Sequence, residues 1–269
     1  MTQEKQRTAA GLAVKNLTVA YGSRTVLDNV AFTLPAGASL AIVGESGCGK
    51  TTLLTTVAGL LKPAAGTLTW TDVAGAPVSQ VRSSFVWQNL GLFPWKTVEG
   101  NLRLPFELKN SPVSATEGAL RASAMIEELG LTGLEKRWPS ELSGGQRQRL
   151  ALGRALIAEP DVLFMDEPFS ALDALRRERL QDFLAGMRVT RPVTMIFVTH
   201  DIAEAVFLAS HVLLLAANPP RVLELCENPA FNRQTQCADR ESNTFFDAVR
   251  HVHATLRNAG GNSKSTTPD

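Results

Sequence analysis

The run Gly44-Glu45-Ser46-Gly47-Cys48-Gly49-Lys50-Thr51-Thr52 lies between the apolar stretch Leu40-Ala41-Ile42-Val43 and Leu53-Leu54. A strand therefore feeds a glycine-rich loop that opens a helix, which restricts the chain to α/β architectures that present such a loop at a strand end. Glycines let backbone N–H groups curl around phosphate oxygens, and the helix N-terminus adds its positive dipole. In this pattern Lys50 is placed to reach the β- and γ-phosphates of a nucleotide, and Thr51 offers a hydroxyl to Mg²⁺.

A phosphate cradle does not say what the nucleotide is used for. Leu142-Ser143-Gly144-Gly145-Gln146, followed by Arg147-Gln148-Arg149 and an apolar helical run to Leu156, forms a second one. A Ser hydroxyl and glycine N–H groups at a helix start suit a γ-phosphate, although a serine-capped helix after a glycine turn has the same local pattern. Between Pro160 and Pro168, Asp161-Val162-Leu163-Phe164-Met165 is an apolar strand that runs into Asp166-Glu167. An unbroken apolar strand belongs inside a parallel sheet, where ligands collect at the carboxyl ends. Asp166 is then placed to hold Mg²⁺, and Glu167 to orient the attacking water or take its proton.

The Leu142–Gln146 segment with its basic helix resembles the signature motif of ATP-binding-cassette (ABC) ATPases, and Val162–Glu167 resembles Walker B followed by the catalytic glutamate. Further segments resemble that family in the same chain order. Gln88, after Ser84-Phe85-Val86-Trp87, resembles the Q-loop glutamine that can touch Mg²⁺ or the lytic water. Ser170-Ala171-Leu172-Asp173 resembles the D-loop. His200, at the end of Met195-Ile196-Phe197-Val198-Thr199, resembles the switch histidine on the γ-phosphate, and Tyr21 resembles the aromatic residue that stacks on adenine.

The resemblance spans roughly 12–224 and implies a P-loop NTPase cassette: a RecA-like parallel sheet core, an antiparallel β region and an α-helical signature subdomain. It implies ATP and Mg²⁺, with Gly44 to Thr52 and Ser143, Gly144, Gly145 and Gln146 binding nucleotide. Thr51, Gln88 and Asp166 would lie at the metal, and Lys50, Gln88, Glu167 and His200 at the chemistry. It also implies a head-to-tail homodimer around two ATP molecules, energising transport through separate permease subunits.

Leu92-Phe93-Pro94-Trp95-Lys96-Thr97-Val98-Glu99-Gly100-Asn101 and Pro220-Arg221-Val222-Leu223-Glu224 are similar to importer ATPases of the nitrate, sulfonate and taurine class. There a solute-binding protein supplies the permease. Members of that class usually read Leu-Leu-Pro-Trp and Pro-Gly-Arg-Val, and Phe93 and Pro220 depart from this wording. The surface beside Gln88 would receive an amphipathic helix of the permease. An exporter ATPase subunit and a soluble ABC ATPase working on nucleic acid or a protein assembly are the competing readings.

Composition narrows these readings. The chain has 269 residues, 27 basic against 26 acidic for a net charge of +1, which argues against a dedicated nucleic-acid binder. Its three cysteines, Cys48, Cys226 and Cys237, have no C-x-x-C spacing, so neither a disulfide framework nor a zinc site is expected and a reducing compartment fits. Cys48 lies within the glycine-rich loop, where thiol reagents would block ATP if they reach it. His251 and His253, without a third ligand, read as exposed rather than metal-binding.

No apolar run reaches the length of about 18–20 residues needed to cross a bilayer, and the polar N-terminus leads into no signal core. The expected place is the cytoplasm, peripheral on the inner face of the membrane. Along the chain the expectation is a disordered stretch over 1–10, a cassette over 11–225 with its helical subdomain at about 98–159, a C-terminal extension over 226–258 and a disordered tail over 259–269. With about seventy residues after His200, no separate β-rich regulatory domain is expected.

Overall fold

A computed structural model describes residues 9–108, 112–170, 172–217 and 220–261. Three apolar runs become parallel strands buried along their length: β3 (Ser39–Gly44), β7 (Val162–Asp166) and β8 (Thr194–Val198). The long N-terminal hairpin β1 (Gly11–Tyr21) and β2 (Arg24–Leu34) alternates buried with exposed residues, as a strand pair covered on one face must. After helix α1 (Lys50–Val57) come β4 (Ala65–Thr71), β5 (Pro77–Val78) and β6 (Ser83–Val86). Then follow α2 (Val98–Glu107), α3 (Ala115–Glu128) and α4 (Gly144–Ile157). Beyond β7 the order is α5 (Ala174–Thr190), β8, α6 (Ile202–Leu208), β9 (His211–Ala217), β10 (Pro220–Glu227), β11 (Phe231–Asn232), β12 (Cys237–Ala238) and α7 (Asn243–Gly261).

The central sheet runs β10-β9-β3-β8-β7-β6, parallel except for the antiparallel edge pair β10/β9. A second, antiparallel sheet runs β2-β1-β4-β5. Side chains leave a strand alternately to its two faces, and this period sorts the core into two layers. Leu40, Ile42, Phe164, Ile196 and Val198 join the antiparallel sheet and α1, whereas Ala41, Val43, Leu163, Met165, Met195 and Phe197 join the helices. The carboxyl ends of β3, β8 and β7, parallel neighbours in this order, lie together at one end of the sheet.

Thr194 at the start of β8 ties the hairpin's approach to the core. Its hydroxyl donates to Ala10 O at 2.6 Å and accepts from Gly37 N at 2.8 Å, and the residue is fully buried. Thr194→Val keeps the shape but strands both partners, and is expected to cost about 1–3 kcal/mol in urea unfolding without altering the chemistry of the site.

The ordered chain is longer than the sequence suggested. Ala9 and Ala10, within the stretch expected to be disordered, are buried, and α7 continues through Ala259, Gly260 and Gly261, within the expected tail. Ala171 and the remaining parts of both terminal stretches lie outside the described residues. The C-terminal extension is a small hairpin, β11/β12, followed by α7 with Phe245, Ala248 and Val252 packed into the helical-side core. Among the described residues no helix is long and apolar enough to cross a membrane.

Candidate nucleotide site

The loop after β3 leaves the sheet where space is minimal. A Cβ at Gly44 would stand 2.5 Å from Leu215 O and 2.7 Å from Cys48 Sγ, so no other residue fits without moving β9. Gly49, with φ +96°, caps α1 in the left-handed region that glycine alone adopts readily. The position of a Cβ on Gly47 meets nothing within 4 Å, so the curl of the loop is open toward an incoming group.

Lys50 is buried, and its ammonium donates to Gly44 O and Glu45 O, each at 2.9 Å, which holds the charge inside the curl. Glu45 and Ser46 are exposed on the rim; Thr52 continues the helix. Cys48 is almost wholly buried, and burial raises its thiol above the ordinary value while Lys50 opposes the shift. The access that would let thiol reagents block the site is therefore absent.

One residue along α1, Thr51 Oγ1 donates to Asp166 Oδ1 at 3.1 Å. Burial raises the Asp166 carboxyl above its usual range and the neighbouring Glu167 adds to this, against the Thr51 hydrogen bond and Lys50. Two oxygen donors side by side at a buried carboxylate suit a hard divalent cation such as Mg²⁺. The chain turns sharply at Glu167, whose φ of +46° is costly for a residue with a Cβ and is held by Glu167 N donating to Val198 O at 3.1 Å. The turn directs its carboxylate to two groups from other strand ends. Gln88 Nε2 stands 3.5 Å from Glu167 Oε2, and His200 Nδ1 stands 3.5 Å from the same oxygen.

His200 is exposed, but its neighbours are fixed. Thr199 Oγ1 donates to the buried Glu204 and accepts from Asp201 N at 3.0 Å, while Gln181 Nε2 donates to Glu204 Oε1 at 3.1 Å. Burial raises the Glu204 carboxyl above its usual range, and the Thr199 bond opposes that. Arg177 of α5 donates to Asp201 Oδ2 at 2.7 Å and to Leu172 O at 3.3 Å, joining the D-loop-like segment to the histidine's turn. Six expected residues thus converge at four adjacent strand ends, those of β3, β8, β7 and β6: Lys50, Thr51, Gln88, Asp166, Glu167 and His200.

The second cradle stands apart. Ser143 caps α4 through a reciprocal box: Gln146 N donates to Ser143 Oγ at 3.3 Å and Ser143 N donates to Gln146 Oε1 at 2.8 Å. A Cβ at Gly144 would meet nothing within 4 Å, so this helix end is also open. These bonds stay within the helix's first turn and leave the face at Gly144 open. Tyr21 is exposed at the tip of the β1/β2 hairpin, paired with Arg24. The same hairpin reaches the phosphate loop, since Leu27 Cδ2 would lie 3.0 Å from a Cβ on Gly49.

Asn101, Arg154 and Arg177 were not singled out from the sequence. Asn101 is fully buried; its Nδ2 reaches Phe93 O, Lys96 O and Thr97 O at 2.9–3.1 Å, and its Oδ1 accepts from Phe93 N at 2.9 Å. It staples the loop that follows Gln88 and leaves Trp95 exposed, edge-on to Phe93. Arg154 of α4 donates to Gly91 O at 2.8 Å and Leu90 O at 3.2 Å and lies over the Phe93 ring, connecting the signature-like helix to that loop. An asparagine close after a Thr cap was the one local signal available; the arginines act across 63 residues or more in the first case and 24 in the second.

Residues 27–170 match the ABC transporter family model. The chain is 40% identical over 215 residues to the taurine import ATP-binding protein TauB of Escherichia coli O157:H7, covering 79% of this chain and 82% of that protein. It is 41% identical over 203 residues to the aliphatic sulfonates import ATP-binding protein SsuB of Bacillus subtilis strain 168, covering 75% and 76%. Among solved structures it resembles the dimeric, post-hydrolysis ATP-binding cassette MJ0796 bound to ADP and Pi. That match has TM-score 0.68 and 27% identity, over 80% of this chain and 98% of the other. With both phosphate cradles and the carboxylate pair on one chain, the protein belongs to the ABC transporter family and is an ATP-binding, ATP-hydrolysing cassette.

Proposed function

We propose that this cassette works as a pair of copies on the cytoplasmic face of a membrane. There it drives uptake of a small solute of the taurine or alkanesulfonate kind through separate permease subunits, fed by a solute-binding protein. The observation that carries the catalytic part is the meeting of Gln88 and His200 on Glu167 Oε2 beside the Thr51–Asp166 pair. Support for the uptake part comes from the two import proteins and from the exposed Trp95 presented on a stapled loop next to Gln88.

Thr51 and Asp166 would hold Mg²⁺, with the Gln88 amide at its edge; bound there, the ion supplies charge neutralisation on the β- and γ-phosphates. Lys50 exchanges its carbonyl partners for phosphate oxygens. Glu167 orients the attacking water and draws on its proton, and His200 steadies the γ-phosphate as charge develops. Ser143, Gly144 and Gly145 of a second copy close the site from the other side, and Tyr21 stacks on adenine. Gln88 reports the state of the site to the loop at Trp95.

Affinity purification of the tagged chain from gently solubilised native membranes tests this directly. A polytopic permease and its solute-binding protein are expected in the eluate. Recovery only from the soluble fraction, with nucleic acid or ribosomes, overturns the reading.

A further inference from the structure

His251 has ligand partners that its sequence neighbourhood does not reveal. Glu224 and Cys226 are two apart on β10 and so project to one face of the strand. Helix α7 lays His251 across that face, and the ligand atoms of Glu224, Cys226 and His251 all lie within 4.8 Å of one another. His251 Nε2 and Glu224 Oε1 are 3.0 Å apart. One turn further along α7, Thr255 Oγ1 donates to Glu224 Oε2 at 3.3 Å and so orients the carboxylate. Cys226 is a free, partly buried thiol resting on Val212 O at 3.4 Å.

We propose that Glu224, Cys226 and His251 form a site for a divalent transition-metal ion of the zinc type, with Thr255 as its supporting hydroxyl. One sulfur, one imidazole nitrogen and one carboxylate oxygen are the donor set of a borderline-soft ion; Mg²⁺ and Ca²⁺ take oxygen throughout. Bond lengths of about 2.0–2.3 Å to such an ion place tetrahedral donors roughly 3–4 Å apart, so His251 Nε2 and Glu224 Oε1, already 3.0 Å apart, need only shift together to meet the Cys226 sulfur, which lies within 4.8 Å of both. The exposed His251 ring and the Glu224 side chain have the rotamer freedom to do so. On binding, the Cys226 S–H proton leaves to solvent as the metal–sulfur bond forms, and His251 coordinates as neutral imidazole through Nε2. Three protein donors leave a fourth position for water or a small anion. The ion would fasten α7 to the edge strand of the central sheet, independently of the nucleotide reaction and of which solute is carried.

The test is titration of the purified full chain, with its thiols reduced, by Zn²⁺ in a calorimeter and by Co²⁺ in a spectrophotometer. One equivalent is expected, with a thiolate-to-cobalt charge-transfer band that reads sulfur ligation and is blind to oxygen-only sites. Cys226→Ser is expected to remove the band, His251→Ala to weaken Zn²⁺ binding by at least about tenfold, and Thr255→Val to weaken it less. Mg²⁺-ATP hydrolysis close to the parent's in all three variants shows that each is folded. No saturable band in the parent chain, or a band that survives Cys226→Ser, overturns the proposal.

Discussion

Glu167→Gln is expected to slow ATP hydrolysis by about 10²–10⁴-fold, the usual worth of a positioned base, while ATP still binds. The substitution keeps the length of the side chain and an oxygen for the Gln88 amide, and it makes no new demand on the backbone at φ +46°. What it removes is the negative charge that attracts a proton from water. Because closure precedes hydrolysis in the proposed cycle, the variant should accumulate as an ATP-bound pair of copies. Phosphate release measures the first effect, and size-exclusion chromatography with and without Mg²⁺-ATP the second. Turnover near the parent's would remove Glu167 from its role.

Lys50→Ala acts one step earlier. The ammonium already sits inside the loop, held by two carbonyl oxygens at 2.9 Å each, so little reorganisation is needed when phosphate arrives. Hydrogen bonds to charged groups are worth about 1.5–3 kcal/mol, so ATP affinity should fall by about 10- to 100-fold. The rise in unfolding temperature that ATP gives the parent should shrink accordingly, because ligand stabilisation follows affinity. Unchanged affinity in a folded variant would mean that the loop N–H groups alone bind the phosphates.

The convergence of Lys50, Thr51, Asp166, Glu167, Gln88 and His200 was legible because each lies at or shortly beyond the end of a parallel strand, Lys50 and Thr51 across the glycine loop, and parallel strands bring their carboxyl ends together. Local pattern and chemistry coincide there. Asn101, Arg154 and Arg177 were not, since they are ordinary helix residues by spacing and their partners are carbonyls and a carboxylate fixed only by the tertiary fold. The C-terminal part was illegible for a related reason. The β11/β12 pair is two residues long on each side, too short for a period to register. The partnership of His251 with Glu224 and Cys226 needs the strand and helix to be docked before it exists.

Strand β6 is the last in its sheet, hydrogen-bonded along one flank to β7, and Gln88 stands two residues beyond its end. A segment clamped on one side bends more easily than one clamped on both. Its contact with Glu167, at 3.5 Å, lies at the outer limit of hydrogen bonding, where a displacement of about half an ångström makes or breaks the bond. The loop stapled by Asn101 carries the exposed Trp95 at the other end of this stretch. Between Gln88 and Trp95, Arg154 of α4 grips Gly91 O and Leu90 O, so the stretch from β6 to Trp95 is built as a lever with its fulcrum on that helix: in the proposed cycle a load applied at the tryptophan would tilt the glutamine, and the sheet itself need not yield.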